Sequence, residues 1–144
     1  VMRKLPRRVD NKRRKHDDRW TRKLMRELKE ERNKQPLYVV AVKRDGEQAG
    51  VGVERYIDGQ LTWFASWYWC CCGRASIDSL YRRAIMKVVE RDGVVDVVVP
   101  LRWLDTLQVD GARVTIGQRG QFDRAFDLAR DALQRRISIE EEVS

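Results

Sequence analysis

The sequence predicts an α/β domain in which helices pack on a mixed β-sheet, preceded by a basic extension. Three observations predict it. Strand-like and helix-like patterns alternate from residue 37 to residue 136, Asp-Gly pairs separate several of them, and basic residues concentrate before residue 36. The chain has 144 residues, and those outside the extension can bury one modest core. We therefore expect a single domain and an extension.

The net charge of +8 resides in the first 35 residues. This segment contains 15 basic and 6 acidic residues, a net charge of +9, whereas residues 36–144 contain 15 basic and 16 acidic residues, a net charge of −1. Cations that neutralise phosphates release condensed counterions, so a basic segment on a near-neutral body is typical of proteins that bind a polyanion. Nucleic acid, either RNA or DNA, is the predicted partner.

The extension has two parts. Residues 1–16 lack apolar periodicity, which predicts a basic arm that is disordered until bound. Residues 17–35 predict a basic amphipathic helix, because Trp20, Leu24 and Leu28 recur at four-residue spacing. Basic residues of both parts are predicted to bind phosphates: Arg3, Lys4, Arg7, Arg8, Lys12, Arg13, Arg14, Lys15, Arg19, Arg22, Lys23 and Arg26.

After Pro36 the pattern is that of a three-stranded antiparallel meander. Strands are expected at 37–43, 50–57 and 61–70, because these ranges are rich in β-branched and aromatic residues and Asp-Gly pairs separate them. A helix follows, with Ser76 or Asp78 as its N-cap, and continues to about residue 91.

The remaining elements complete an α/β order. Residues 94–99 are apolar except for Asp96, which is typical of a buried strand. Further elements are then expected in sequence: a helical turn at 101–107, a strand at 112–116, a Gly-rich loop at 117–120, a helix at 122–136 and an acidic tail at 138–144.

Three tracts within this order resemble those of a known family. Residues 42–46 read Val-Lys-Arg-Asp-Gly, residues 50–53 read Gly-Val-Gly-Val, and residues 124–130 read Arg-Ala-Phe-Asp-Leu-Ala-Arg. They resemble the first strand, the glycine-rich second strand and the final helix of the ribonuclease H-like fold. The resemblance implies a ribonuclease H-like domain at 36–137, a mixed sheet in the order β-β-β-α-β-(α)-β-α, with the basic helix before it.

Members of that family that cut nucleic acid hold two divalent ions with three or four carboxylates. The resemblance places Asp45 at the first position and Asp78 near the second, whereas Asp96 and Asp127 are out of register with the others. Residues 99–101, Val-Pro-Leu, stand where an aspartate is needed. We therefore expect a non-catalytic protein. The alternative is a nuclease that uses Mg²⁺ or Mn²⁺ with Asp45, Asp78 and one of Asp96 or Asp127.

Asp45 also fits a plain structural role. Asp-Gly pairs recur at 58–59, 92–93 and 110–111, each at a predicted element boundary. Since aspartate and glycine both favour tight turns, Asp45 is equally explained as the first residue of a turn.

The strand at 61–70 carries aromatic residues on both faces. Alternation puts Trp63, Trp67 and Trp69 on one face and Phe64 and Tyr68 on the other. Helices covering both faces account for this pattern. The alternatives are a stacking platform for unpaired bases and a surface that binds a protein partner.

Cysteine and histidine usage excludes several site classes. The three cysteines are consecutive at 70–72, and the single histidine, His16, lies in the arm, so we expect no disulfide framework, zinc site or Ser-His or Cys-His centre in the body. We expect no resident metal or cofactor.

No apolar run approaches the ~20 residues of a membrane span, and no signal peptide pattern is visible, so a cytoplasmic protein without a membrane partner is expected. A structural role in a nucleoprotein assembly is the remaining alternative.

Overall fold

The computed structural model describes residues 18–28, 35–70, 73–100 and 107–143. The chain divides into two compact units, Val1–Lys34 and Gln35–Ser144. In the first unit, residues 18–28 form helix α1, inside the range where a basic helix is predicted. The predicted arm, residues 1–16, lies outside the described residues.

The second unit is built on one mixed sheet of six strands. The strands are β1 (Leu37–Asp45), β2 (Gln48–Ile57), β3 (Gln60–Trp69), β4 (Val95–Val99), β5 (Ala112–Ile116) and β6 (Ile139–Glu142). The helices are α2 (Ile77–Asp92) and α3 (Asp123–Arg135), with a 3-10 turn at Arg119–Phe122 before α3. The predicted helical turn at 101–107 falls almost wholly outside the described residues.

The strand order across the sheet is β5-β4-β1-β2-β3-β6. Antiparallel pairing joins β1 to β2, β2 to β3 and β3 to β6, whereas β4 runs parallel to β1 and β5 runs parallel to β4. The predicted α/β class with a mixed sheet is therefore confirmed. In the described part of the chain, no helix combines the length and apolar character needed to cross a bilayer.

Two-residue turns close both hairpins of the meander. In the second hairpin, Asp58 and Gly59 have φ angles of 53° and 76°, the positive values that a type I′ turn requires at both central residues. In the first hairpin, Gly46 has a φ of 61° and precedes Glu47, as in a type II′ turn. Both turn types match the right-handed twist of the strands, so the Asp-Gly pairs set the register of the meander.

Helices α2 and α3 cover the sheet, with separate hydrophobic clusters beneath them. Under α2, the side chains of Val40, Val51 and Val53 pack with Tyr81 and Ile85 of the helix. The Tyr81 hydroxyl accepts a hydrogen bond of 3.1 Å from the Val42 backbone N–H, which fixes the start of α2 to the last part of β1.

Helix α3 rests directly on the backbone of β2. A Cβ atom added at Gly50 or Gly52 would overlap the carbonyl oxygens of Ala129 and Ala125, respectively. The two glycines therefore allow a closer approach of helix and sheet than any side chain would permit. The smaller hydrophobic cluster, which includes Ala125, lies beside this contact.

Residues 138–144, predicted as an acidic tail, contain strand β6. A run of glutamates has little strand propensity, so the local sequence does not predict this element. It forms a strand because its backbone pairs with the edge of β3, from Ser66↔Ile139 to Trp63↔Glu142. The pairing covers an edge that would otherwise be open.

Candidate nucleic-acid interface

Helix α1 presents its cations on one side. Arg19, Arg22, Lys23 and Arg26 follow the spacing i, i+3, i+4, i+7, so their side chains share one helical face. All four are exposed. The helix therefore aligns four exposed cations along its length, while their binding of phosphate stays a prediction. The other predicted phosphate-binding residues lie in the arm, outside the described residues: Arg3, Lys4, Arg7, Arg8, Lys12, Arg13, Arg14 and Lys15.

Two of the four carboxylates considered for catalysis lie at one end of the sheet. Asp45 is the last residue of β1, and Asp78 lies in the first turn of α2, which begins at the same end. Arg44 connects the two segments, because its guanidinium donates hydrogen bonds to the carbonyls of Gly73 and Ala75 just before the helix.

Asp96 lies at the opposite end of the sheet. In the parallel register of β4 with β1 it is the partner of Leu37, eight residues before Asp45. At about 3.3 Å per residue, this places the two aspartates roughly 26 Å apart along the strand. Asp96 instead faces Arg113 of β5, with the carboxylate 3.6 Å from the guanidinium.

Asp127 lies on the surface of α3, with a side chain that is 69% exposed and paired with Arg130. Arg130 also lines a groove of about 380 Å³ together with Lys43, Arg44 and Asp45. Asp45 thus shares its groove with three cations, and their positive charge opposes the binding of a divalent cation there. Throughout the described ranges, no group of three or more His, Cys, Asp or Glu side chains is arranged to hold a metal ion.

The tryptophans of β3 are buried in the cluster beneath α2. Trp63, Trp67 and Trp69 are 1%, 3% and 6% exposed. Trp63 and Trp67 meet edge to face and Trp67 and Trp69 stack, each pair with its ring centroids 6.3 Å apart. Buried rings cannot stack on a base, so the platform alternative is wrong for this face of the strand.

A row of cations on α2 lies over these rings. The Arg83 guanidinium carbon is 4.3 Å from the Trp69 centroid and the Lys87 amino nitrogen is 4.6 Å from that of Trp67. The Arg91 guanidinium carbon is 4.2 Å from the Trp63 centroid. We call Arg83, Lys87 and Arg91 the α2 cation row. The sequence contains its signal, three cations four residues apart on a predicted helix, but only the topology shows that this helix lies over the tryptophans.

Strand β6 brings carboxylates to one end of the α2 cation row. Arg91 contacts Glu140 at 3.4 Å and Glu142 at 3.1 Å. Glu142 also pairs with Arg55 at 3.0 Å. The indole N–H of Trp67 donates a hydrogen bond of 2.9 Å to Glu140. The glutamates of β6 therefore join the strand to the cations and aromatic rings of its neighbours.

A buried carboxylate lies on the α3 face of β2. Glu54 is fully buried, its Oε2 accepts a hydrogen bond of 2.7 Å from the Tyr56 hydroxyl, and Arg124 is 3.9 Å from the same oxygen. The other oxygen, Oε1, has no hydrogen-bond partner within the described residues. Desolvation raises the pKa of Glu54, against the lowering effects of the Tyr56 hydrogen bond and of Arg124. Burial, together with the hydrogen bond to Glu54, raises the pKa of Tyr56 to about 12.

No protein-family model, curated protein or solved structure shows significant similarity to this chain. Function is therefore inferred from charge, burial and geometry.

Proposed function

We propose that this chain is a non-catalytic nucleic-acid-binding protein that engages phosphate backbones through its basic arm and helix α1. The observation that carries the proposal is the segregation of charge. Residues 1–35 hold a net charge of +9 on 35 residues, while the remaining 109 residues are near neutral. A cationic segment of this density attracts a polyanion and gains affinity from counterion release.

The placement of cations on α1 supports contact with a phosphate backbone. Arg19, Arg22, Lys23 and Arg26 occupy one exposed face, so one strand can meet several of them together. Contacts of this kind position a protein on nucleic acid but carry no base information. Binding is therefore mainly electrostatic and tolerant of sequence, and it uses a feature that RNA and DNA share.

We further propose that the domain at 36–137 has the ribonuclease H-like fold. The support is the strand order β5-β4-β1-β2-β3, with three antiparallel strands on one side and two parallel strands beyond β1. The close approach of α3 to Gly50 and Gly52 also supports the resemblance of β2 to the glycine-rich strand of that family. Strand β6 extends the sheet by one strand.

The surroundings of the aspartates support the non-catalytic form of the proposal. Asp45, at the end of β1, shares its groove with Lys43, Arg44 and Arg130. Asp96, on the neighbouring strand β4, is paired with the first residue of β1 and so lies at the opposite end of the sheet. A labelled RNA–DNA hybrid incubated with the protein and Mg²⁺ or Mn²⁺ should remain intact. Cleavage that is lost in Asp45→Asn would contradict the proposal and support the metal-dependent nuclease.

A protein partner at 61–70 would contact the face opposite the tryptophans. Phe64 and Tyr68 are half-buried there, unlike the tryptophans on the other face. Such a contact is compatible with a structural role in a nucleoprotein assembly, because it uses residues other than the cations of helix α1.

Fluorescence anisotropy of labelled single-stranded and duplex oligonucleotides, titrated at several salt concentrations, tests the main proposal. Log affinity should fall linearly with log salt, with a slope of about 0.9 per phosphate contact on duplex DNA and about 0.7 on single strands. The double variant Arg22→Gln with Arg26→Gln removes up to two phosphate contacts. It should therefore reduce the salt slope by up to about 1.8 on duplex DNA and about 1.4 on single strands.

The matched control is Arg113→Gln with Arg135→Gln. It also removes two exposed cations, but each of these pairs with a carboxylate of the body, Asp96 and Asp131. An affinity of the full chain that does not respond to salt would overturn the proposal. An equal effect of the two double variants on the salt slope would also overturn the proposal.

A further inference from the structure

We propose that the α2 cation row is a second phosphate-binding surface, and that Glu140 and Glu142 of β6 restrict access to one end of it. The choice of nucleic acid as the ligand rests on the proposed function. The row consists of other residues than α1 and belongs to the second unit of the chain.

The geometry of the row suits an extended polyanion. Arg83, Lys87 and Arg91 are spaced by four residues on one helix, so successive cations lie about 6 Å apart along the helix axis. All three are exposed, and each is held over the ring of a different tryptophan. The row is therefore a line of ordered positive charges on the surface of the domain.

Contact with a tryptophan ring positions the two arginines to bind anions. A guanidinium held against a ring face can still direct N–H groups away from the ring, where they can donate to phosphate oxygens. The buried tryptophan beneath each arginine limits the freedom of the side chain. A phosphate then binds with a smaller ordering cost than it would on a freely moving arginine.

The two ends of the row differ in their local charge. Arg91 is in contact with Glu140 and Glu142 and, at 3.9 Å, with Asp92, and its side chain is 35% exposed. Among the residues that the structure describes, no carboxylate lies within ion-pair distance of Arg83 or Lys87. The positive charge at the Arg83 end is therefore available to a ligand, while that at the Arg91 end is partly neutralised by the chain itself.

The edge of β3 favours nucleic acid over an acidic peptide as the ligand. An extended peptide would normally add to a sheet edge through backbone hydrogen bonds. Here β6 already pairs with residues 63–66. Val143 donates to the Thr62 carbonyl at 2.9 Å, and the Tyr68 N–H donates to the Ser138 hydroxyl at 2.9 Å. A phosphate backbone needs only the side-chain cations, which remain accessible.

The glutamates of β6 act as local competitors. Glu140 and Glu142 are two residues apart on a strand, so both side chains point to the same face of the sheet. They neutralise Arg91 and repel a phosphate that approaches it. Replacing both by glutamine removes two of the three carboxylates that contact Arg91 and leaves Asp92. It also keeps an oxygen that can accept the hydrogen bond from Trp67. Arg91 is then more available to a ligand.

Anisotropy titrations of the full chain with labelled single-stranded and duplex oligonucleotides test the inference. Arg83→Gln with Lys87→Gln should reduce the salt slope by up to about 1.8 on duplex DNA and about 1.4 on single strands. The control, Arg113→Gln with Arg135→Gln, should leave the slope unchanged. Arg83→Lys should retain the slope, because it keeps the charge. A slope for Arg83→Gln with Lys87→Gln that equals that of the unsubstituted protein overturns the inference.

A gain-of-function variant gives an independent result, with circular dichroism as the check on folding. Glu140→Gln with Glu142→Gln should raise affinity and steepen the slope by about 0.9 on duplex DNA, the effect of one more contact. An unchanged or weaker affinity of this folded variant overturns the role of β6.

The failure of this inference is distinguishable from failure of the proposed function. If Arg22→Gln with Arg26→Gln lowers the slope and the α2 variant does not, the second surface is rejected and the proposed function stands. If only the α2 variant lowers the slope, helix α1 is rejected as a phosphate-binding element and the α2 cation row stands.

Discussion

Arg91 lies 4.2 Å from the ring centroid of Trp63, and this one contact joins three elements of the domain. The arginine belongs to α2 and the tryptophan to β3, while the outer edge of the guanidinium contacts Glu140 and Glu142 of β6. The pair therefore lies where the hydrophobic core, the helix surface and the acidic strand meet. Substitution of Trp63 should therefore lower stability, whereas substitution of Glu140 and Glu142 should change binding.

Trp63→Ala should destabilise the domain severely. Trp63 is 1% exposed and lies beneath both Arg91 and Arg55. Removing a buried tryptophan side chain leaves a cavity, so we expect a loss of about 3–5 kcal/mol in the free energy of unfolding. Urea unfolding followed by circular dichroism measures this loss in the free energy of unfolding. Trp20→Ala, at a residue 63% exposed in α1, is the control and should change the value by less than about 0.5 kcal/mol.

Gly52→Ala should be unusually costly for a change of one methyl group. The new Cβ would overlap the Ala125 carbonyl oxygen, so α3 must move away from β2. Overpacking of this kind costs typically about 1–3 kcal/mol. Gly120→Ala is the matched control, because a Cβ there meets nothing within 4 Å. Equal unfolding free energies for the two variants would show that α3 does not rest on the backbone of β2.

Glu54→Gln should stabilise the protein by an amount that depends on pH. Burial raises the pKa of Glu54 above its ordinary value of 4.5, so the native state retains the proton at pH values where the unfolded chain has released it. The wild-type protein therefore loses stability as pH rises from about 4.5 through the raised native pKa. Glutamine does not ionise, so the stability of the variant relative to wild type should grow over this window and then level off.

Urea unfolding at a series of pH values measures this difference. Glu47→Gln, which removes an exposed carboxylate, is the control and should give a small difference without this trend. Tyr56→Phe removes the hydroxyl that donates to Glu54, so it should raise the pKa of Glu54 further and destabilise the protein at neutral pH. A pH-independent difference between Glu54→Gln and wild type would refute the account of Glu54.

Deleting residues 138–144 should promote self-association. Without β6, the backbone groups of β3 from Trp63 to Ser66 lose their partner strand. An open edge strand is a template for pairing with another chain. Light scattering across a range of protein concentrations should show oligomers for the deletion. Glu141→Gln, which keeps the ladder intact, should stay at the size of the wild-type protein.

Most of the fold could be predicted from the sequence because its signals are local. Strand β1 extends to Asp45, two residues beyond the prediction, since the ladder continues through Asp45↔Gln48 to the turn. Helix α2 begins after Ser76, whose side chain accepts a hydrogen bond from the Ser79 N–H, as expected of an N-cap. In these elements the spacing of apolar residues and the capping residues carry the information.

The elements that could not be predicted depend on contacts between distant parts of the chain. Strand β6 is stabilised by the free edge of β3 and by Arg91, not by its own sequence. The α2 cation row becomes visible only when α2 is placed over the tryptophans. The separation of Asp45 from Asp96 follows from the parallel register of β4 with β1, which sequence alone does not give.

The seating of α3 on Gly50 and Gly52 makes the domain mechanically asymmetric. On that side the distance between α3 and β2 is set by main-chain atoms, which have no alternative rotamers. We therefore expect α3 and β2 to move together as one rigid layer. On the opposite side α2 meets the sheet through side chains, which are the buried apolar cluster around Tyr81 and Ile85 and, beside it, the α2 cation row over the tryptophan rings, with the four-residue strand β6 at the edge. We therefore expect any structural adjustment to a ligand to be larger on the α2 and β6 side than on the α3 side.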